Sequence, residues 1–450
     1  MKSNSCVVVS FFLGSLLLSP VFSVRMAAQA PTPYRLTLQD AIQKGLAGNL
    51  NGQLASARVD EAAGTRMRRA SSALLPRVSA QSYANVQNRD LRAFGISFPG
   101  LPEVVGPFSN YDFRVYAQQN IFDLQSLHGL KASERTLDAD KLDYRDMRDA
   151  IVRSVAALYL NAESAAARMD AAQSRVTASN ALYKLARDKH DAGTATGVDV
   201  LRAQVQVAND QQVLLVAQNQ LRQSLLMLAR YLGMDPAVPL EVADVLRFQP
   251  LPNSEAEALV PAALRSRADY LSFARQREGL VEQQSANRAR FYPKLSLNGN
   301  YGAIGRSIGG VAGTGMVQGQ IDFTIFDRDR EGEAQELASR VKTIDDRIAD
   351  MRRGIEEDVR EALLNLDSAA QQVDVAGQGE NLARRELELA QDRFAEGSAN
   401  NVEVVTAQDE LARAQENYIE AVSSHVDAKF ALARALGDTE KNIRQFVDTR

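Results

Sequence analysis

Ile121-Phe122-Asp123 recurs as Ile325-Phe326-Asp327, and the offset of 204 between the two governs the reading of the whole chain. The same offset carries Met147 to Met351, Ile151 to Ile355, Val155 to Val359, Gly193 to Gly397, Ala203-Gln204 to Ala407-Gln408 and Leu232-Gly233 to Leu436-Gly437 without a gap. Upstream, an offset of 217 takes Ala41 to Ala258, Leu54 to Leu271, Pro76 to Pro293 and Ser79 to Ser296. The 13-residue difference falls between Pro76 and Phe122, where the first copy holds a longer insert. Two copies in one register predict two equivalent structural units. Residues 31–235 form the first, and residues 236–450 form the second together with a linker and a tail.

Each copy reads as a short helix, a longer helix, two strands, then a very long helix broken by one Gly-rich turn. In copy one the helices are Thr37 to Leu50 and Gln53 to Leu74, with Pro76 as the stop. Their equivalents run from Ala256 to Arg265 and from Asp269 to Arg290, ahead of Pro293. Beyond each proline the pattern changes to alternation. Leu295, Leu297, Gly299, Tyr301 and Ala303 alternate with Ser296, Asn298, Asn300 and Gly302. On the return strand Val317, Gly319, Ile321, Phe323 and Ile325 share one face. In copy one, Tyr111, Phe113, Val115 and Ala117 oppose Asp112, Arg114, Tyr116 and Gln118, while Arg77 to Gln87 alternates more weakly. Segments of this length with one apolar and one polar face fit transmembrane β-barrel strands, and a soluble half-buried hairpin is the competing reading.

Past the strands the period is helical. Leu337, Val341, Ile344, Ile348, Met351, Ile355 and Val359 form a heptad-like seam, and no proline interrupts Asp327 to Glu396. Such a run makes a rod of roughly 105 Å. Val402 to Leu436 then returns about half that distance. A lone helix of this length has no interior, so its seam must meet other helices. Gly233 to Ser254 reads as the linker, Asp438 to Arg450 as a polar tail, and Asn88 to Asn110 as an exposed loop holding the extra residues.

Residues 1–30 stand apart from the fold. Lys2, the apolar run from Val7 to Phe22 and the small-residue stretch Ala28-Gln29-Ala30 predict a secretory signal cleaved after Ala30. A membrane anchor fits less well, because the run is short and contains Pro20. Cys6 is the single cysteine, so the mature chain is expected to have neither disulfides nor a thiol nucleophile. Removing Lys2 and Arg25 leaves 50 basic against 56 acidic residues, a net charge of −6. That balance argues against nucleic acid as a partner.

Catalytic signals are poor. Gly305-Arg306-Ser307-Ile308-Gly309 matches a nucleophile-elbow pattern, but it joins two strands instead of a strand and a helix. His128, His190 and His425 have no ligand-like spacing, so no metal site is read. Gly313-Thr314-Gly315 reads as a hairpin tip, and no cofactor site is read there. The interhelical turns are richer. Gly193-Thr194-Ala195-Thr196 and Gly397-Ser398-Ala399-Asn400 each follow a long helix, with Asp199 and Glu403 three residues beyond Thr196 and Asn400. A capping box accounts for both acids. The functional reading adds a ring of exposed turns and carboxylates at the far end of the rods.

With these turns in place, the chain resembles the TolC-type outer-membrane efflux family over essentially all its mature length. The resemblance rests on Leu36-Thr37-Leu38-Gln39-Asp40-Ala41, on Leu74-Leu75-Pro76-Arg77-Val78-Ser79 and on Phe291-Tyr292-Pro293-Lys294-Leu295-Ser296. Ile325-Phe326-Asp327 and the two tips, Asp191-Ala192-Gly193 to Asp199-Val200-Leu201 and Phe394-Ala395-Glu396-Gly397 to Glu403-Val404-Val405, complete it. It implies a mainly α fold with a small β part: a duplicated long-helix α-barrel plus four transmembrane strands per chain, closed as a 12-strand barrel in a homotrimer. It further implies docking to a periplasmic adaptor (membrane fusion) protein and an inner-membrane pump or ABC exporter. Asp199 and Glu403 would form the periplasmic gate, and Gly193, Thr194, Gly397 and Ser398 the adaptor-docking tip. Two departures stand out. Thr406 occupies the position of the family's second tip acid, and Ala399 replaces a tip arginine that helps lock the closed state.

The expected function is a passive exit duct from the periplasm through outer-membrane lipid, with energy supplied by the inner-membrane partner. A non-porous periplasmic coiled-coil scaffold or adaptor subunit is the main competitor, and the alternating strands argue against it. An enzyme is a distant third.

Overall fold

The computed structural model describes residues 33–95, 99–100, 102–245, 247–251, 256–437 and 439–440. The expected signal segment and most of the C-terminal tail lie outside the described residues. The first half contains β1 (Tyr34–Leu36), α1 (Leu38–Gly48), α2 (Leu50–Leu74), β2 (Arg77–Asp90), β3 (Val104–Phe122), α3 (Leu124–Asp191) and α4 (Gly197–Tyr231). The second contains β4 (Leu240–Val242), α5 (Ala256–Ser266), α6 (Ala268–Ala289), β5 (Lys294–Gly305), β6 (Ala312–Asp322), α7 (Asp329–Glu396) and α8 (Asn401–Leu436). Apart from the handful of boundary residues, the second series repeats the first element for element.

The two long helices α3 and α7 span 68 residues each, close to 100 Å. Of the expected seam, Leu337, Ile344, Ile355 and Val359 are buried and Val341, Ile348 and Met351 half-buried. The first half of α3 packs between α2 and α6, with Arg66–Glu134 and Arg135–Glu278 as cross-helix ion pairs. Its second half packs between α4 and α8, joined to α8 by Arg153–Asp427 and Arg168–Glu416. Both α6 and α8 also pack on α7. The helices therefore run in the order α2–α3–α6–α7 at one level and α4–α3–α8–α7 at the next, one helix thick.

The short helices close the waist. Leu38, Ala41 and Ile42 of α1 join Ile151, Val155 and Tyr159 of α3 and Leu228 of α4 in one core. In the second half, Ala263 of α5 packs on Ile355 and Val359 of α7 and Leu432 of α8. A parallel pair of three-residue strands, β1 and β4, ties the N-terminus to the linker. The sequence reads this stretch as a linker, because three residues are too few to carry an alternation signal. Asp244, just past β4, accepts from the Leu38 amide at 2.7 Å and the Tyr159 hydroxyl at 2.8 Å. In the tail, Glu440 folds back onto α3 and pairs with Arg148 at 2.6 Å.

The sheet is antiparallel in the order β2-β3-β5-β6, with β2 and β6 at its edges. Its register puts Val78, Phe113, Val115, Tyr301, Val317 and Ile321 on one face, all exposed. Gln81, Tyr83, Asp112, Arg114, Asn298, Asn300 and Gln318 occupy the other. No helix among the described residues is long and apolar enough to cross a membrane.

Three expectations on the strands need correction. The extra residues of copy one do not form a loop from Asn88 to Asn110. They are shared between longer strands, 14 and 19 residues in β2 and β3 against 12 and 11 in β5 and β6, and a longer connection, 91–103 against 306–311. Gly313-Thr314-Gly315 lies inside β6, paired with Ala303, Gly302 and Tyr301, and the turn falls earlier, at a 3-10 turn over Ile308–Gly310. Finally, β6 ends at Asp322, so Phe323 and Ile325 lie beyond the strand. Glycines around the turn of the second hairpin leave that end of the alternation unmarked.

Candidate functional site

Two places concentrate polar groups with defined geometry: the polar face of the sheet and the paired turns at the far end of the long helices. On the sheet, Asp112 is almost fully buried although it faces the polar side. Arg114 donates to it through Nε at 2.7 Å and through Nη2, and the Tyr83 hydroxyl donates at 2.9 Å. Gly302 is paired with Arg114, and a Cβ there would lie 1.9 Å from the Phe113 carbonyl oxygen and 2.7 Å from the Arg114 side chain. The glycine gives the arginine room to lie flat against the strand. The result is a neutral, internally satisfied cluster.

At the other end, α3 terminates at Asp191 and α7 at Glu396. Gly193 and Gly397 take φ of 77° and 81°, the left-handed conformation that ends a helix without a Cβ clash. Thr194 donates through its amide (2.8 Å) and hydroxyl (3.0 Å) to the Lys189 carbonyl. Ser398 repeats this on the Arg393 carbonyl, at 2.9 and 3.1 Å. Nothing lies within 4 Å of a Cβ built on either glycine, so both turns present open backbone.

The two acids part company here. Asp199 completes a full capping box: its Oδ2 accepts from the Thr196 amide at 3.0 Å and hydroxyl at 2.6 Å, and its own amide donates to the Thr196 hydroxyl oxygen. The Thr196 hydroxyl, chiefly, holds its carboxyl below the usual range. Glu403 does not complete the box. Its amide donates to the Asn400 side chain at 3.3 Å, but its carboxylate turns away and pairs with Arg393 of α7 at 2.9 Å.

The turns themselves are brought together by residues that the spacing did not single out. Asn401, fully buried, donates to the Asp199 carbonyl at 3.0 Å. Lys189 reaches from α3 to the Phe394 and Ala395 carbonyls at the end of α7, and lies 4.8 Å from the Phe394 ring centre. Phe394 is buried with Leu182, Ala390, Val404 and Ala407. Lys189 and Arg393 are repeat equivalents, 204 positions apart, and that was the available signal. One basic position per copy, in the last turn of a long helix, reaches across a helix boundary in both cases.

The remaining candidates are separated. His128 pairs with Glu282 at 2.7 Å near the sheet, and His190 lies near Asp191 at a tip. His425 is buried against the Phe248 ring, its pKa pushed down to about 4 by burial and then by Lys429. Among the described residues no group of three His, Cys, Asp or Glu side chains could hold a metal ion. Ser307 lies in the turn between β5 and β6, where its carbonyl accepts from the Gly310 amide.

Comparison with known proteins agrees with this architecture. The chain is 26% identical over 393 residues to the toluene efflux pump outer membrane protein TtgF of Pseudomonas putida, covering 83% of this chain and 77% of that one. To the probable efflux pump outer membrane protein TtgC of the same species it is 25% identical over 301 residues, a match that spans only 59% of that relative's length. Among solved structures, the outer-membrane channel OprN superposes with a TM-score of 0.73 at 20% identity, covering 89% of this chain and 90% of that one. VceC of Vibrio cholerae superposes with a TM-score of 0.75 at 18% identity, over 89% and 96%. A sequence profile described as outer membrane efflux protein matches residues 41–234 and 259–438, most of both repeats, and the chain belongs to that family.

Proposed function

We propose that this protein is the outer-membrane exit duct of a tripartite efflux or type I secretion system, passing substrates from periplasm to exterior without catalysis. One observation carries the reading: the chain leaves open edges on the same two sides at every level. The sheet ends in β2 and β6. Because α6 and α8 both pack on α7, the helices α2 and α4 are left at the opposite edge, the side that leads into β2. Both helical edges carry exposed apolar side chains, including Val198, Leu201 and Val205 on α4 and Val375, Leu382 and Leu389 on α7. An open strand edge is not tolerated in lipid, and four strands are too few to close a barrel. A head-to-tail interface joining the β2/α2/α4 edge of one copy to the β6/α7 edge of the next closes into a ring. Three copies would close a twelve-strand barrel, and family membership supports that number together with an outer-membrane location and a long periplasmic α-barrel.

The tips then form the periplasmic mouth. Glu403, with Asp199 beside it, lines the gate, while Gly193, Thr194, Gly397 and Ser398 offer backbone to a periplasmic adaptor coupled to an inner-membrane pump. The relatives named for toluene and antibiotic efflux support small organic molecules as cargo. A paired cysteine placed on each edge, for example Val205→Cys with Leu382→Cys, should yield a covalent trimer on oxidation in the outer-membrane fraction. Recovery of a monomer confined to the soluble periplasm would support the non-porous scaffold instead.

A further inference from the structure

Arg393 and Glu403 bridge the turn between α7 and α8 where charge has the most leverage on what enters the mouth. Arg393 sits in the last turn of α7 and Glu403 in the first turn of α8. Each is the sign of charge that its helix end favours, and the antiparallel hairpin puts the two ends side by side. The Arg393 backbone is held in place, because its carbonyl accepts from the Ser398 amide and hydroxyl and from the Ala399 amide at 3.2 Å. The Glu403 carboxylate, free of capping duty, meets its guanidinium at 2.9 Å, with the two side chains 55% and 43% exposed. Asp199 is engaged differently, by a hydroxyl and an amide of its own turn.

The rest of the groove carries no net charge. The groove between α7 and α8 at this level is lined by Leu382, Arg385, Glu386, Leu389, Arg393 and Glu403, so its acids and bases balance. Thr406, one turn beyond Glu403, also lines it and contributes none.

We infer that Arg393 tunes the charge of the periplasmic mouth: it masks Glu403, so that this ring of carboxylates adds little to any selection for cations. A ring of three unpaired carboxylates in a confined opening raises the local concentration of cations, whereas three ion pairs do not. The same pairing makes an approaching multivalent cation compete with a guanidinium for each carboxylate. Arg393 thereby decides whether positively charged cargo is held at the entrance or passes. This inference rests on the reading of Glu403 as a residue of the mouth.

The test is single-channel recording of the full-length protein in planar bilayers across a potassium chloride gradient, with hexaamminecobalt(III) as the blocking probe. Arg393→Gln should raise the potassium-to-chloride permeability ratio about twofold or more and sharpen block by the trivalent cation. Arg393→Lys should stay near wild type, and adding Glu403→Gln to Arg393→Gln should abolish the rise. The pair is half-exposed and so contributes little to stability; the variants should fold, which heat-modifiable mobility checks. If Glu403→Gln alone alters selectivity while Arg393→Gln does not, the mouth assignment stands and the masking role is wrong. If the Arg393→Gln rise survives Glu403→Gln, other acids carry it and the masking role is again wrong. If no variant alters selectivity or block, Glu403 does not line the mouth and both readings fail together.

Discussion

Gly397 and Glu403 are six residues apart and illustrate two kinds of constraint at the scale of the single residue. The left-handed backbone at Gly397 is a steric requirement, since an L side chain there brings Cβ toward the following carbonyl. Open space around the position means that this backbone term stands alone. Gly397→Ala should therefore destabilise the tip by about 1–2 kcal/mol, read as faster proteolytic nicking at the turn, while leaving the sheet intact. Unchanged nicking kinetics would mean that the turn adopts another conformation. At Glu403 the constraint is electrostatic, and it depends on a partner on another helix. The capping-box pattern is the same in both copies, yet Asp199 obeys it and Glu403 does not. Asp199 reaches back to the Thr196 amide, whereas Arg393 offers the Glu403 carboxylate a charged partner on another helix.

Among the elements, the clip between β1, β4 and α3 carries a titratable load. The Tyr159 hydroxyl shares its one proton between the Leu36 carbonyl at 2.9 Å and Asp244, which in turn accepts from the first amide of α1. Glu163, one turn further along α3, is buried, and burial together with nearby Asp244 lifts its pKa to about 7. The folded state thus prefers the neutral acid. Its contribution is fully present below the unfolded value near 4.5 and is lost as pH rises through about 7. Stability should fall by about 3 kcal/mol at most between those limits, and Glu163→Gln should flatten that fall. The midpoint of the heat-induced mobility shift, followed from pH 5 to pH 8, measures both. A wild-type midpoint that rises over this window would contradict the assignment.

At the scale of the molecule, the sheet is a surface with two solvents. Val317 and Gln318 are neighbours in β6, but they face opposite sides. Val317→Arg places a charge on the apolar face and should cost up to about 4 kcal/mol at the bilayer midplane, seen as reduced insertion into outer-membrane vesicles. Gln318→Arg, on the polar side, should insert normally and change only conductance. Equal insertion of the two variants would show that the apolar face does not meet lipid. The helical layer follows the same logic in water: every helix but those at the two edges has neighbours on both sides, so an isolated chain is an incomplete wall.

The duplication, the order of elements, the long helices and the alternation of the strands were all legible in the residues. The duplication shows as a constant offset along the chain. The others rest on a period of two or 3.6 residues or on a local stop signal such as Pro76 or Pro293, which act within one or two turns of chain. The hairpin ends were less legible, because glycines such as Gly313 and Gly315 carry no side chain to mark a face. The three-residue pair β1 and β4 was not legible at all, since it is too short for an alternation signal and is tied to Tyr159 of the distant helix α3. At the tip, the two turns and their acids could be named from spacing alone. Which helix Arg393 reaches, and that Asn401 and Lys189 join one turn to the other, depended on bringing repeat equivalents side by side. The sequence by itself determined what each segment is; tertiary structure decided which charges meet, because an ion pair between helices is set by distances across space that no spacing along the chain encodes.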